Sequence, residues 1–172
     1  MKKALHSGFT LIELLLYTGI LIMLVAVVGS TLLAFSKTYR SIASEQSIEQ
    51  SAEGILGRMV REVRNAKTID SSNSTLGTSP GVLSLNTTDA TGNAETIGFF
   101  ITGGILHLKK NGTDTGPLMP SAADVSNLVF RSISAGNTTA IKIELTLESG
   151  TSTAYRSRSF YETAVLRGSY LQ

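Results

Sequence analysis

Cysteine is absent from this chain, which excludes a disulfide framework, thiolate zinc ligands and a cysteine nucleophile. Histidine is nearly absent too: only His6 and His107 occur, so imidazole metal chemistry has almost nothing to build on. An excess of charge of one sign is also lacking. The 15 basic and 13 acidic residues leave +2, and Lys2 and Lys3 alone account for that difference. The balance is no nucleic-acid footprint, because the positive excess sits in the first few residues. Helix breakers are missing where they would matter. Between Ser36 and Asp70 there is no proline, and the glycines there are Gly54 and Gly57. Charge itself is missing from Leu14 to Phe35, a run of 22 residues.

That uncharged run, wound as a helix at about 1.5 Å per residue, would reach roughly 33 Å, enough for the hydrocarbon core of a bilayer. It reads as a membrane segment. A secretory signal peptide would have a shorter apolar region ending at a small-residue cleavage site, and would not carry an acid, Glu13, near its start. Lys2 and Lys3 precede the span closely, so the positive-inside rule keeps the N-terminus cytoplasmic and sends the chain beyond Phe35 across.

Past Phe35 the chain turns polar without losing helical character. Ala52, Ile55, Leu56, Met59, Val63 and Ala66 recur at steps of three and four, which gives one apolar face. The spacing predicts a helix from Phe9 to about Lys67, with a membrane half and an amphipathic half. Asp70 to Pro80 is a polar run of turn formers and reads as a surface loop. Short apolar stretches follow: Val82–Leu85, Thr96–Thr102, Ile105–Lys109, Leu128–Ile133, Ala140–Leu147 and Tyr155–Leu166. Ile141, Ile143, Leu145 and Leu147 alternate with Lys142, Glu144 and Thr146, as in a strand with one wet face. Gly103-Gly104 and Gly136-Asn137 are hairpin turns by composition. About 42% apolar residues in a chain of 172 suits one core with an appendage. The expected class is α+β, with the long helix laying its outer half on an antiparallel β-sheet so that each covers the other's apolar face.

At Gly8-Phe-Thr-Leu-Ile-Glu13 the sequence resembles the type IV pilins and the related pseudopilins of type II secretion systems. Met1 to Gly8 matches their basic leader ending in glycine, Phe9 the first mature residue, and Glu13 the acid at the head of a long apolar helix. The resemblance implies a division into a leader at 1–8, a membrane and filament-core helix at 9–35, an amphipathic helix at 36–70 and a β-sheet domain at 71–172. It implies cleavage between Gly8 and Phe9 by a membrane-embedded prepilin peptidase and methylation of the new Phe9 amine. It also implies extraction of the subunit from the cytoplasmic membrane into a helical filament by an inner-membrane assembly platform, among other pilin or pseudopilin subunits. Leu56 to Ala66, with Asn127 to Arg131 and Phe160 to Arg167, resembles the minor-pilin and J-type minor-pseudopilin branch. Two features of many major pilins, a proline within the membrane helix and a disulfide-bounded C-terminal loop, are absent.

Glu13 is the sharpest single site. A carboxylate inside a membrane helix costs about 2.5 to 3.5 kcal/mol, somewhat less near an end, and such residues are functional candidates by default. Cleavage after Gly8 would give Phe9 a cationic amine, a counter-charge from the same chain or a neighbour. The resemblance favours the neighbour. The plainer alternative is a glutamate at headgroup level with no partner. Arg58, Arg61, Arg64 and Lys67 step by three and form either a solvated helix face or a ridge for DNA or acidic lipid. His107 reads as an exposed strand histidine. Asn73, Asn86, Asn111 and Asn137 each open an Asn-x-Ser/Thr triplet, which chance produces in a chain this rich in serine and threonine. No catalytic constellation, cofactor motif or metal-ligand spacing is present, so an enzyme is not expected. Two roles remain open: a structural filament subunit, or a tip-displayed module binding DNA, a surface or a secreted substrate through the loops Asp70 to Pro80 and Asn111 to Ser121.

Overall fold

The computed structural model describes residues 10–118 and 123–169. The chain divides into two compact units, Met1–Arg40 and Ser41–Gln172. Helix α1, Leu11–Asn65, supplies residues 11–40 of the first and residues 41–65 of the second.

In the first unit the side chains of α1 have no core to enter. Leu16, Ile22 and Phe35 are 57%, 70% and 69% exposed. They lie on different faces of the helix, so apolar surface runs all the way round, as a lipid- or partner-covered helix requires. Its hydroxyls are turned inward. Thr18 donates to the carbonyls of Leu14 and Leu15 at 3.0 Å, and Ser30 and Thr31 both donate to Val27 O at 2.8 Å. The polar groups of this stretch therefore need no water. By length and composition, this helix can cross a membrane.

The second unit is α+β. Its helical part presents Ile48, Ala52, Ile55, Met59 and Val63, at steps of four, three, four and four, to a shared core in which each is nearly inaccessible. Helix α1 stops at Asn65, short of the expected end, because the chain is taken over by sheet hydrogen bonds. Lys67 N donates to Asn86 O at 2.8 Å and Asp70 N to Ser84 O at 2.9 Å. Strand β1, Thr68–Ile69, thus occupies residues expected to be helical.

The remaining strands are β2 Leu83–Thr88, β3 Ala94–Thr102, β4 Ile105–Lys110, β5 Thr113–Pro117, β6 Asp124–Ala135, β7 Thr138–Ser149 and β8 Arg156–Val165. All neighbours are antiparallel, but they make two sheets rather than the single one expected: β1-β2-β3-β4-β5 and β6-β7-β8. Leu83, Leu85, Ile97, Phe99 and Leu106 come to the core from the first sheet. Leu128, Phe130, Ile141, Ile143, Leu145 and Leu147 come from the second. The sheets stay separate because the outer edge of β6 is already taken. Gly77 N donates to Phe130 O and Gly81 N to Leu128 O, both at 2.8 Å. Gly81 is required there, since a Cβ would stand 2.9 Å from Leu128 O.

Two hairpin turns fall where expected. Gly103-Gly104 joins Thr102 to Ile105 with φ of +57° and +77°, the left-handed pair that a type I′ turn demands. Gly136, φ +57°, leads the turn between Ala135 and Thr138. A third turn, Asn111-Gly112 with φ of +51° and +79°, closes β4 onto β5 inside a stretch expected to be loop.

Candidate functional site

Glu13 lies in the first turn of α1, and the start of that turn is built by Thr10. The Glu13 N–H reaches Thr10 Oγ1 at 3.3 Å and Thr10 O at 3.1 Å, and Leu14 N–H reaches Thr10 O at 3.2 Å. Thr-x-x-Glu is the pattern of a capping box, and here the threonine half of it is made. An acid in the first turn also faces the positive end of the helix dipole, which lowers the cost of placing it there. The carboxylate is not left bare: Tyr17, one turn on, donates its hydroxyl to Glu13 Oε1 at 3.3 Å. Glu13 thus has a hydrogen-bond partner within its own helix. Sequence reading passed over Tyr17, although its spacing of four residues from Glu13 is the signal that could have found it. Leu14, Tyr17, Thr18 and Leu21 together line an apolar depression of about 300 Å³ on the same stretch of helix. Gly8 and Phe9, the expected cleavage and methylation positions, lie outside the described residues.

Four other sites singled out from the sequence are resolved as follows. Arg58 Nε lies 2.8 Å from Glu62 Oε1, close enough to pair electrostatically but not aligned as a hydrogen bond. Arg61 and Arg64 line an open groove with Glu53, Leu56, Gly57, Val60, Asn65 and Glu162, so these cations belong to a helix face offset by acids rather than to a uniform basic ridge. His107 is not the exposed strand histidine expected. Its side chain is only 16% accessible, Nδ1 lies 2.9 Å from Asp114 Oδ2, and its ring is tilted against Phe100 with centroids 5.5 Å apart. Asp114 sits below the usual carboxylate range, first because Gly116 N–H donates to it at 2.8 Å and then because of His107. The histidine thus ties β4 to β5 across the outward face of the first sheet.

The loop from Asp70 to Pro80, a candidate for recognition, has its polar groups engaged at home. Asp70 accepts from Ser72 Oγ at 2.5 Å and from Asn73 Nδ2 at 2.7 Å, and these hydrogen bonds hold its carboxyl below the ordinary value. Ser74 Oγ accepts from Ser84 N at 2.9 Å. This loop covers a sheet edge. The other candidate loop, Asn111 to Ser121, contains β5, and its end lies outside the described residues. A cleft of about 240 Å³ beside the first loop is lined in part by Gly98, Phe100 and Lys109, and Lys109 already lies 4.7 Å over the Phe100 ring. Among the described residues no group of three or more His, Asp or Glu side chains could hold a metal ion.

No family model, curated protein or solved structure matches the chain.

Proposed function

We propose that this chain is a structural subunit, of the minor kind, of a type IV pilus or type II secretion-like filament, acting by helix packing rather than catalysis. The observation that carries the reading is the charge pattern of α1: from Leu11 to Phe35 the helix is apolar on every face, and its one charged residue is Glu13 in the first turn. A free-standing soluble helix with that surface would aggregate. A helix that is first held in lipid and then buried among copies of itself would not. In this reading the precursor spans the cytoplasmic membrane once with its N-terminus inside. Prepilin peptidase cuts between Gly8 and Phe9 and methylates the Phe9 amine, and the assembly platform then moves the subunit into the filament.

Glu13 supplies the docking charge. In low dielectric a carboxylate and an ammonium attract far more strongly than in water, so the carboxylate of one subunit and the Phe9 amine of its neighbour set the axial register. Tyr17 holds Glu13 oriented, at 3.3 Å, while the subunit waits in the membrane. Mass spectrometry of the intact protein extracted from membranes tests the reading. Loss of Met1 to Gly8 with gain of one methyl group is the expected result; an uncut N-terminus, or a cut near Phe35, sinks it.

A further inference from the structure

Just past the apolar run of α1 stand two cations with no counter-charge in the described chain. Lys37 and Arg40 are both exposed and lie three residues apart, on one side of the helix. No acid occurs from Leu14 to Ser44, and among the described residues neither cation has a carboxylate oxygen within 4.0 Å. The next acids along the helix are engaged elsewhere: Arg158 pairs with Glu49 and lies 3.8 Å from Glu45. Between the two cations, Tyr39 leaves 66% of its surface exposed. Packing among the described residues accounts for none of the three. Insertion topology does not account for the cations either, because with the N-terminus cytoplasmic they stand on the side that the positive-inside rule leaves poor in Lys and Arg.

Their height along the helix singles them out. With Glu13 at one membrane surface and Leu14 as the start of the apolar length, Lys37 lies about 35 Å and Arg40 about 39 Å along the axis at about 1.5 Å per residue. A tilt of about 20°, the average for membrane helices, reduces these depths to about 32 and 37 Å. A hydrocarbon core is about 30 Å thick, and each headgroup layer adds about 5 to 7 Å. Both cations and Tyr39 therefore fall within the headgroup layer. That layer favours an aromatic ring with a polar tip, and it lets Lys and Arg lay their stems on apolar surface while the charged heads reach phosphate. A zwitterionic headgroup brings its own ammonium to that phosphate, whereas an anionic one leaves the negative charge for the protein.

We propose that Lys37 and Arg40, with Tyr39 seated at the same depth, bind anionic phospholipid headgroups and hold the chain in a ring of lipid enriched in them. The inference rests on the single membrane crossing of the proposed function and not on filament assembly. Leaving the bilayer would mean giving these contacts up, so lipid charge would act as a brake on release.

Lipid-selective fluorescence quenching tests it. The chain contains no tryptophan, so Tyr39→Trp installs a single reporter and keeps an aromatic at this depth. The full chain is reconstituted in vesicles of phosphatidylcholine and phosphatidylglycerol in one fixed ratio, with bromine carried on the acyl chains of either one lipid or the other. Brominated phosphatidylglycerol should quench more strongly, corresponding to a preference of about fivefold or more at low salt, since each cation near an anionic surface contributes about that factor. High salt should shrink the preference. Lys37→Gln/Arg40→Gln, which keeps good helix formers at both positions, should bring it down to about one. Ile22→Trp, in the middle of the apolar run, is the control, and brominated lipid of either headgroup should quench it about equally. Quenching of Ile22→Trp without a headgroup preference at Tyr39→Trp overturns the proposal and leaves the crossing standing, as does a preference that survives in the double glutamine variant. An unquenched Ile22→Trp overturns the crossing and the proposal together. Loss of the preference on adding inorganic phosphate at constant ionic strength would assign the cations to free phosphate, and that too overturns it.

Discussion

Met59 offers the most direct test of how α1 is held in the second unit. It is 0% exposed, one turn from Ile55 and one turn from Val63, in the core cluster shared with both sheets. Met59→Ala removes three heavy atoms beyond Cβ, at about 0.8 kcal/mol per buried methylene-sized group, and leaves a cavity that adds to the loss. Alanine returns a few tenths of a kcal/mol as a better helix former. The net is a loss of about 3 kcal/mol out of the 5 to 15 typical of a domain. Hydrogen exchange reads this locally. If β7 amides exchange through unfolding of the second unit, their protection should fall by roughly a factor of a hundred, one decade per 1.4 kcal/mol. Ile22→Ala is the matched control: Ile22 is 70% exposed in the first unit, and its loss should leave β7 protection within about a factor of two to three. A fall of less than about tenfold in Met59→Ala, with the protein still folded, would refute the placement of this helix face in the core.

Two further outcomes follow from the site and from the loops. Glu13→Gln keeps an acceptor for the Tyr17 hydroxyl and keeps the Thr10 cap, but removes the charge; cleavage after Gly8 should be unchanged while incorporation into filaments falls, and normal incorporation would show that the charge has no docking role. Asp89 has its carboxyl lowered from 3.8 to about 2, first by the Thr91 hydroxyl and then by the Asn93 N–H, in the turn between β2 and β3. A depressed carboxyl contributes stability above its ordinary value and loses it as pH falls through the folded one. The turn should therefore stay ordered at pH 4 and loosen toward pH 2, as read by amide chemical shifts of Thr91 and Asn93; loosening complete by pH 4 would contradict the geometry.

The helix was legible because its signal is long and redundant. From Leu11 to Phe35 the chain has one charge, and from Ala52 to Ala66 the apolar spacing repeats over about four turns, so single exceptions such as Gly57 do not blur it. Most strands were legible from alternation, and the Gly103-Gly104 turn from composition. Asn111-Gly112 carried an equally strong turn signal, but β5, Thr-Asp-Thr-Gly-Pro, has no apolar residue to mark it as a strand. It exists because β4 offers it an edge and because His107 reaches Asp114. Strand β1 was hidden for a similar reason: two residues have no period, and it is pairing with β2, through the carbonyls of Asn86 and Ser84 and the Asn86 side chain on Thr68, that draws that segment into the sheet.

Sequence alone determined the class of fold, the apolar surface of residues 11–35 and the solitary acid at its head, because these depend on which residues are present and at what spacing. Tertiary structure decided what local spacing cannot encode: that the strands split into two sheets, that the loop from Asp70 to Pro80 covers the outer edge of β6, and that the outer side of β8 has no strand partner among the described residues. Strand pairing and ion pairing join residues far apart in the chain. Each potential partner competes with others for the same edge or the same charge, and that competition is settled only once the core has brought them together.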